Sequence, residues 1–390
     1  MTTVVDPRLM TDLRRFGAAD INACFSCGNC TAICPLADDD ATFPRRIIRL
    51  AQVGLADDLA SSKELWTCYQ CGRCTDRCPQ QADPAEFMAT ARRWAIARVD
   101  KTRLARTLYT NPVVGAIVVI VAALIFAGFF ASLHQDESRA NLALFDFIPN
   151  GLIHTVGLVL MIVVAVYSVV TIVLLARGLA RRQGVTAKSL FGGAAAWRRT
   201  GRAFWYAVGV ESLGQKRYRR DCADDQPVEP LYRRRWLIHA LTVWGFLGLL
   251  AATVLDYGLD LVGLKPTGTA VPLWYPVRLL GTIAGLALLY GVTWLAVRRW
   301  RKTKAGTLVS RPTDWLLLVM LWIVGLTGFL IEIALYVQPV QLWGYWVFLI
   351  HVALAMELVL FLPFTKLAHA MYRPVALFFY GLAKSSAGAD

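Results

Sequence analysis

The chain has 390 residues, of which 56% are hydrophobic and only 17% are charged, so it is too apolar for an ordinary soluble protein of this length. The net charge of +14 would suit a nucleic-acid-binding protein, but many of the arginines stand just beyond the ends of apolar segments. Arginines in such positions are typical of membrane topology signals and anionic-lipid contacts, and the sequence predicts a membrane protein that binds no nucleic acid.

Eight of the nine cysteines form two copies of the spacing C-x-x-C-x-x-C-x-x-x-C-P near the N-terminus. This spacing is the bacterial ferredoxin pattern that holds cubane 4Fe-4S clusters, and its fourth cysteine ligates the other cluster in two-cluster proteins. We therefore predict two clusters with crossed ligands. One is held by Cys24, Cys27, Cys30 and Cys78, and the other by Cys68, Cys71, Cys74 and Cys34.

Two alternatives for these cysteines fit the spacing less well. Structural zinc sites take two cysteines from each of two separated knuckles and do not need a third at this interval. A disulfide framework conflicts with the reducing cytoplasm in which the predicted topology places the motifs. The ninth cysteine, Cys222, stands alone in a basic loop, and we expect it to be inert.

Six apolar segments after residue 110 are long enough to cross a membrane. Asn111 and Pro112 precede the first segment and are typical of a helix N-cap and first turn. The predicted membrane helices are 113–133, 150–176, 236–257, 277–297, 314–337 and 342–364. The fold class is therefore mainly α, with a small helical two-cluster ferredoxin-like domain (residues 1–105) fused to a six-helix transmembrane bundle (residues 106–390).

Lysine and arginine residues set the predicted orientation of these helices. The connections 177–235 and 298–311 are rich in both residue types, whereas the connections on the opposite side are nearly free of them. Under the positive-inside rule, both termini and the cysteine motifs face the cytoplasm. No signal peptide is expected, since the first apolar run begins too late. The sequence thus predicts a multi-pass protein of the cytoplasmic (inner) membrane.

Histidines are rare in this chain, and those in or at the ends of membrane helices are functional candidates, because polar groups are costly there. His351 and His369 are separated by 18 residues, which on one continuous helix is five turns. Both imidazoles would then share one face, roughly 27 Å apart. A single histidine on an apolar helix is more often a hydrogen-bonded core residue. In a chain that carries iron-sulfur motifs, the paired spacing favours haem b held between imidazoles of two helices.

The segment from His351 to His369, with its Leu-Pro-Phe stretch, resembles the last haem-binding helix of the respiratory nitrate reductase gamma subunit. His239 matches the first histidine of that family's other ligand helix. The resemblance implies His239 and His369 as the axial pair of a haem b on the cytoplasmic side. Leu249 replaces the family's second histidine on that helix. We therefore assign His154, which is expected at a suitable depth in the membrane, as the partner of His351 at an outer haem. One or two haems are expected.

The second cysteine motif, from Trp66 to Pro79, is similar to the C subunits of heterodisulfide reductases, as is the upstream stretch 44–46. Such a head fused to a haem-binding membrane domain resembles the C subunits of quinone-interacting membrane-bound oxidoreductase (Qmo) complexes. The resemblance implies electron exchange between a membrane quinone such as menaquinone, haem b and the clusters, in sulfate reduction or sulfur oxidation. It also implies flavin- and iron-sulfur-containing A and B subunits as partners, with adenylylsulfate reductase beyond them.

Glu357 in the last membrane helix and Glu332 toward the outer end of the fifth are candidates for proton transfer at a quinone site. A carboxyl group in hydrocarbon is protonated, paired or in contact with a wet cavity, so a structural hydrogen bond is the alternative. His134 is either an exposed loop residue or a side chain of the quinone site.

Two rival functions differ from a quinone-interacting oxidoreductase subunit. The first is the membrane module of a heterodisulfide reductase-type complex, which would differ only in its soluble partner. The second is a non-redox membrane anchor or transporter with structural histidines. Eight cysteines at ferredoxin spacing argue against the second function.

Overall fold

The computed structural model describes residues 4–18, 21–37, 43–221, 229–264, 271–302 and 309–387, and all regular structure in these ranges is helical. The predicted fold class, a mainly α protein with a dicluster domain and six candidate membrane helices, is confirmed. Cys222 lies outside the described residues.

The N-terminal head is built from short helices around the long helix α7. These helices are α1 (Leu9–Phe16), α2 (Asn29–Ala32), α3 (Arg45–Gln52), α4 (Ala56–Ala60), α5 (Lys63–Thr67), α6 (Arg73–Asp76), α7 (Pro84–Val99) and α8 (Leu104–Thr110). Phe16, Ile47, Trp66 and Phe87 are almost completely buried at their contacts. Burial of each such side chain stabilises the head by about 1.5–3 kcal/mol. The two cysteine loops lie on this core.

The membrane part follows without a long linker. Its helices are α9 (Pro112–Ser132), α10 (Leu144–Phe147), α11 (Asn150–Arg182), α12 (Ala187–Phe191), α13 (Ala194–Trp205), α14 (Lys216–Asp221), α15 (Arg235–Leu261), α16 (Pro276–Arg301), α17 (Pro312–Tyr336), α18 (Trp343–Phe361) and α19 (Ala368–Ala387). A π-helical turn, Tyr206–Leu213, continues α13. Among the described residues, six segments are long and apolar enough to cross a membrane, namely α9, α11, α15, α16, α17 and the stretch from α18 into α19.

Helix α9 begins as its sequence predicts. The side chain of Asn111 accepts the backbone N–H of Val114 at 3.2 Å, and Pro112 occupies the first turn, where no N–H is needed. Only 17% of the apolar window of α9 and 22% of that of α11 are buried inside the protein. Apolar helix faces exposed to this extent are typical of surfaces that lipid covers, in keeping with a multi-pass membrane protein.

The last predicted membrane helix is interrupted before it reaches His369. Helix α18 ends at Phe361, a 3-10 turn follows over Leu362–Phe364, and Thr365 has an extended backbone with φ −106° and ψ −171°. The proline inside the turn has no N–H to donate, which favours a helix end there.

A new helix starts directly after this turn. The side chain of Thr365 accepts the backbone N–H of Leu367 at 3.4 Å and caps the start of α19. His351 therefore lies on α18 and His369 in the first turn of α19. The expectation that both imidazoles share one continuous helix at five-turn spacing is wrong, because the proline and the threonine cap break the helix between them.

The head and the membrane part share one hydrophobic core at their junction. Tyr372 of α19 packs edge-on against Trp66 of α5, with ring centroids 5.1 Å apart. Arg373 of α19 donates to the backbone oxygens of Trp66 and Thr67, each at 3.0 Å. Because the second cysteine motif begins at the next residue, Cys68, this junction holds that motif against the membrane part.

An ion cluster around a buried aspartate joins two membrane-domain helices to the segment before α19, near the same junction. Asp314, in the first turn of α17, accepts Nη1 of Arg299 at 2.7 Å and also pairs with Nζ of Lys366, just before α19. The side chain of Asp314 is only 3% exposed. When one partner of a buried pair is removed, the remaining charge is left without compensation, which costs about 3–5 kcal/mol.

We expect Asp314→Asn to lower the unfolding free energy by about 3 kcal/mol, because two partly buried cations lose their buried counter-ion. Thermal unfolding of the purified protein, followed as a shift in Tm, measures the effect. Asp57→Asn is the matched control, since Asp57 pairs with Arg98 at the surface with an 83% exposed side chain. Surface pairs contribute about 0–1 kcal/mol. Equal losses of Tm in the two variants would contradict the role assigned to Asp314.

Candidate redox centres

The two cysteine motifs have the same backbone conformation. The residue before the second cysteine, Ser26 or Gln70, has a positive φ of 64° or 53°. The glycine after that cysteine, Gly28 or Gly72, has φ 90° or 93° and starts a short helix, α2 or α6. Glycine adopts this left-handed conformation at little cost. The two positive-φ residues reverse the chain direction twice within each cysteine loop.

The fourth cysteine of the first motif lies beside the second motif. Cys34 is close enough to interact electrostatically with Cys68 and Cys71. A cavity between the motifs is lined by all four cysteines predicted for the second cluster, together with apolar side chains such as Phe43 and Met88. These cysteines are Cys34, Cys68, Cys71 and Cys74. A cubane cluster needs four thiolates around a protected space, and this cavity fits that requirement.

The first predicted set shows the reciprocal arrangement. Cys30 interacts electrostatically with Cys24, Cys27 and also Cys78, the last cysteine of the second motif. Within the described ranges, no three histidine, cysteine or acidic side chains converge on the position of a single metal ion. A cubane takes one thiolate for each iron, so its four ligands are spread around the cluster instead of around one point.

The protein environment alone favours the neutral thiols. Burial raises the pKa of the Cys34 thiol to about 12, and repulsion from the charges of Cys68 and Cys71 adds to this effect. Burial also raises the pKa of Cys30 and Cys74. Because cluster ligands are thiolates, cluster binding must displace these protons, and the positive charge of the iron is what compensates for buried sulfur charge.

Guanidinium groups surround the second cysteine loop. Arg92 of α7 donates to the backbone oxygen of Cys68 at 3.0 Å. Arg235, the first residue of α15, donates to the backbone oxygens of Cys71 and Gln70, both at 3.2 Å. Nearby cations stabilise thiolates and a negatively charged cluster. The arginine of α15 also ties this loop to the helix that carries His239.

His239 and His369 are close enough to interact electrostatically, and His239 reaches the second cysteine loop through the rings of Tyr218 and Tyr69. Nδ1 of His239 is 3.0 Å from Oε1 of Gln215, and Nδ1 of His369 bonds the backbone oxygen of Lys366. Metal-ligating histidines almost always donate one ring N–H to an oxygen in this way, which leaves the other nitrogen to the metal. In both residues the nitrogen that could ligate iron is therefore Nε2. This donor set fits a bis-histidine haem.

Two tyrosine rings make successive contacts from the second cysteine loop to His239. The ring centroid of Tyr69 is 5.1 Å from that of Tyr218, which in turn is 5.4 Å from that of His239. The guanidinium of Arg373 lies over the Tyr69 ring at 4.8 Å. The second cluster site and the histidine pair are thus separated by two packed side chains.

His154 and His351 have different neighbours. His154 bonds its own helix through Nδ1 to the oxygen of Asn150 at 2.9 Å and stacks on Tyr257 of α15 at a centroid distance of 4.0 Å. Nδ1 of His351 is 2.9 Å from Oγ1 of Thr327 on α17. Among the contacts of the described residues, none joins the two histidines. Each has the Nδ1 partner expected of a ligand, but their pairing stays a prediction.

The two candidate glutamates differ in their surroundings. Glu357 is 1% exposed, and its Oε1 has no hydrogen-bond partner in the part of the chain that the structure describes. Glu332 accepts the hydroxyl of Thr282 at 2.8 Å. His134 is exposed and packs against Phe147 and Trp346, with centroids 5.0 and 5.6 Å away.

Some residues of the site are not apparent from the sequence. Gln215 lies in a basic connection far from any motif, and no local pattern marks it as the partner of His239. Tyr69 stands inside the second cysteine motif, so its position in the sequence could have marked it as a residue of the site. Arg235 and Arg373 look like topology signals, yet both bind backbone oxygens at the second cysteine loop.

Fold and cysteine geometry together define a multi-pass membrane protein with an N-terminal 4Fe-4S dicluster domain. The family of 4Fe-4S dicluster domains matches residues 20–82. The family named Citrate utilization protein B matches residues 115–390, which is more than half of the chain. The chain therefore belongs to the citrate utilization protein B family.

Three relatives illustrate the two halves. Citrate utilization protein B of Escherichia coli is 29% identical over 172 residues, which is 42% of each chain. The C subunit of the H(2):CoB-CoM heterodisulfide,ferredoxin reductase of Methanothermobacter thermautotrophicus is 36% identical over 62 residues, 16% of this chain and 34% of the relative. The iron-sulfur C subunit of the CoB–CoM heterodisulfide reductase of Methanopyrus kandleri is 41% identical over 46 residues, 12% and 24% of the two chains. No solved structure matches the chain.

These matches cover less than half the length of each relative. The expected similarity of the head to the C subunits of heterodisulfide reductases is confirmed, and it indicates electron transfer by a subunit of a redox enzyme. For the membrane part, the matching family is citrate utilization protein B, whereas the sequence of segment 351–369 suggested the nitrate reductase gamma subunit. The resemblance to the nitrate reductase gamma subunit stays a prediction.

Proposed function

We propose that this chain is a membrane subunit that passes electrons between a quinone, haem b and two 4Fe-4S clusters. The observation that carries this proposal is the pair of His239 and His369, each with Nδ1 held by an oxygen, beside the second cysteine loop. Bound haem would supply one-electron redox chemistry between the two-electron quinone and the one-electron clusters. His239 and His369 would hold it from α15 and α19.

The contacts at the junction support transfer between this haem site and the second cluster. Arg235 and Arg373 join the histidine-bearing helices to the loop that begins at Cys68. Tyr69 and Tyr218 link the two sites by successive ring contacts. The chain's own contribution is to fix the distance between centres and to tune their potentials through charge and hydrogen bonds.

Orientation and localisation follow from the lysines and arginines. With the basic connections on the cytoplasmic side of the inner membrane, the head and both termini face the cytoplasm. The clusters are then accessible to a soluble partner, and the exposed apolar faces of the membrane helices contact lipid. His154 and His351 would serve a second haem nearer the outer side, because each has its Nδ1 satisfied by an oxygen.

The partner is proposed to be a soluble redox enzyme with flavin, since no two-electron catalytic group is apparent in the head sequence. Adenylylsulfate reductase chemistry, reached through A and B subunits of a Qmo-type complex, is one possibility. Membership of the citrate utilization protein B family favours a second one, in which the head exchanges electrons with an enzyme of citrate utilization. The likeness to the C subunits of heterodisulfide reductases concerns only the head and is compatible with both.

A reduced-minus-oxidised optical spectrum of the purified protein tests the proposal. A b-type α band that appears on addition of a quinol analogue, together with iron and sulfide in cluster amounts, is expected. A protein with clusters but no b-type band would contradict the haem site. A protein with neither clusters nor haem would support the alternative of a non-redox anchor or transporter. Co-purification and mass spectrometry would then distinguish a sulfur-metabolising partner from an enzyme of citrate utilization.

Glu357 is the better supported of the two proton carriers, because it is buried and Oε1 lacks a partner among the described residues. We expect Glu357→Gln to keep haem and clusters but to slow haem reduction by a quinol analogue roughly 100-fold, the usual scale of acid–base assistance. Glu332→Gln is the comparison variant and should slow the reaction less, since Glu332 already accepts a hydrogen bond from Thr282. Stopped-flow absorbance at several pH values measures both. Unchanged rates in both variants would exclude the glutamates as proton carriers.

A further inference from the structure

Two unfavourable features coincide at Gln215. Its backbone φ is +48°, in the left-handed region that residues other than glycine rarely adopt. Its side chain is buried, with the residue 4% exposed, and its Nε2 has no hydrogen-bond partner among the described residues. Strained backbones and unsatisfied buried groups persist where the surrounding structure imposes them, and they cluster at functional sites.

The surrounding chain holds Gln215 in place from both sides. Before it, the π-helical turn Tyr206–Leu213 is tied to α15, because the indole N–H of Trp244 donates to the oxygen of Leu213 at 3.1 Å. After it, the backbone oxygen of Gln215 accepts the N–H of Arg219 at 2.8 Å and opens α14. The rare π-helical geometry is itself frequent at functional sites. Gln215 is thus fixed against α15, the helix of His239.

The contact with His239 determines which nitrogen of the imidazole is available. Oε1 of Gln215 lies 3.0 Å from Nδ1, and an amide oxygen can only accept a hydrogen bond. The imidazole therefore donates from Nδ1, and Nε2 carries the lone pair that a metal needs. The ring is held in the tautomer and orientation of a ligand before any iron binds.

The two histidines of the pair differ in the nature of this acceptor. His369 uses a backbone oxygen, that of Lys366, whereas His239 uses a side chain. We infer that Gln215 is the positioning residue of His239 and that its hydrogen bond sets the reduction potential of the haem, an inference that rests on the haem site proposed above. A stronger acceptor makes the imidazole a better electron donor, which stabilises oxidised iron and lowers the potential.

Three variants of the full-length protein test this inference. Gln215→Glu keeps an acceptor and strengthens it, so the haem midpoint potential should fall while haem content is retained. Gln215→Leu removes the acceptor, so the potential should rise or haem should be lost. Gln183→Leu, at the end of α11, is the control and should change neither. Redox titration of the b-haem α band measures the haem potential. The amount of iron-sulfur iron, measured on the same preparation, reports whether the fold is intact.

The outcomes separate this inference from the proposed function. A wild-type protein without a b-haem band overturns the haem site and the inference with it. If the wild-type protein binds haem and its potential is the same in Gln215→Glu and Gln215→Leu, the inference alone is overturned. A shift of the potential in the same direction in both variants also overturns it. Loss of haem from both variants with clusters retained also contradicts it, because glutamate preserves the acceptor. Haem lost only from the leucine variant supports it.

Discussion

Replacement of Cys34 by serine should abolish the cluster of the second motif and spare the cluster of the first. Cys34 belongs to the first motif in sequence, yet it lines the cavity that Cys68, Cys71 and Cys74 form. Serine is a poor ligand for iron in place of a thiolate, so about half of the iron-sulfur iron should be lost, or the affected cluster should change its spectrum. EPR of the reduced protein, with iron and sulfide analysis, measures this.

The mirror variant Cys78→Ser provides the matched control. Cys78 interacts with Cys30 of the first motif, so its loss should affect the other EPR signal and leave the signal that Cys34→Ser removes. The two variants should therefore give complementary spectra. If Cys34→Ser disturbs only the cluster of Cys24, Cys27 and Cys30, the ligands are not crossed. Each motif would then bind its own cluster.

The head was predictable because its signals are local. Cysteine spacing indicates the cofactor, and the glycine after the second cysteine of each motif allows the left-handed turn that the loop requires. The N-cap of α9 was predictable for the same reason, since Asn111 and Pro112 act on neighbouring backbone groups. Hydropathy alone was sufficient for the six long helices, because a membrane span needs a long apolar run.

The arrangement around His369 was only partly predictable. A regular apolar pattern continues past residue 361, and the effect of one proline and one threonine cap on the helix path depends on the packing of the following helix. Gln215 gives no local signal, because its proposed role depends on a contact with His239, which lies 24 residues further along the chain. Arginines at helix ends indicate topology, and only the fold reveals which of them bind the cysteine loop.

Replacement of His369 by alanine should remove the haem next to the head and leave both clusters in place. His369 stands in the first turn of α19, and its Nδ1 is held by the oxygen of Lys366, so that Nε2 is the proposed axial ligand. Loss of an outer hydrogen-bond partner alone weakens metal binding by about 10–100-fold, and loss of the ligand should exceed this. Electrons from a quinol analogue should then no longer reach the clusters at a measurable rate.

Optical spectra, pyridine haemochrome analysis and EPR on the same preparation measure haem and clusters separately. His239→Ala should give the same phenotype, because both histidines are assigned to one haem. His134→Ala is the control, since His134 is exposed and bonds the backbone oxygen of Ala131 at 2.7 Å. If haem content is unchanged in His369→Ala, the axial pair is wrong. If haem is lost together with both clusters, His369 supports the junction with the head instead, because α19 carries both the histidine and the contacts of Arg373 with residues 66 and 67.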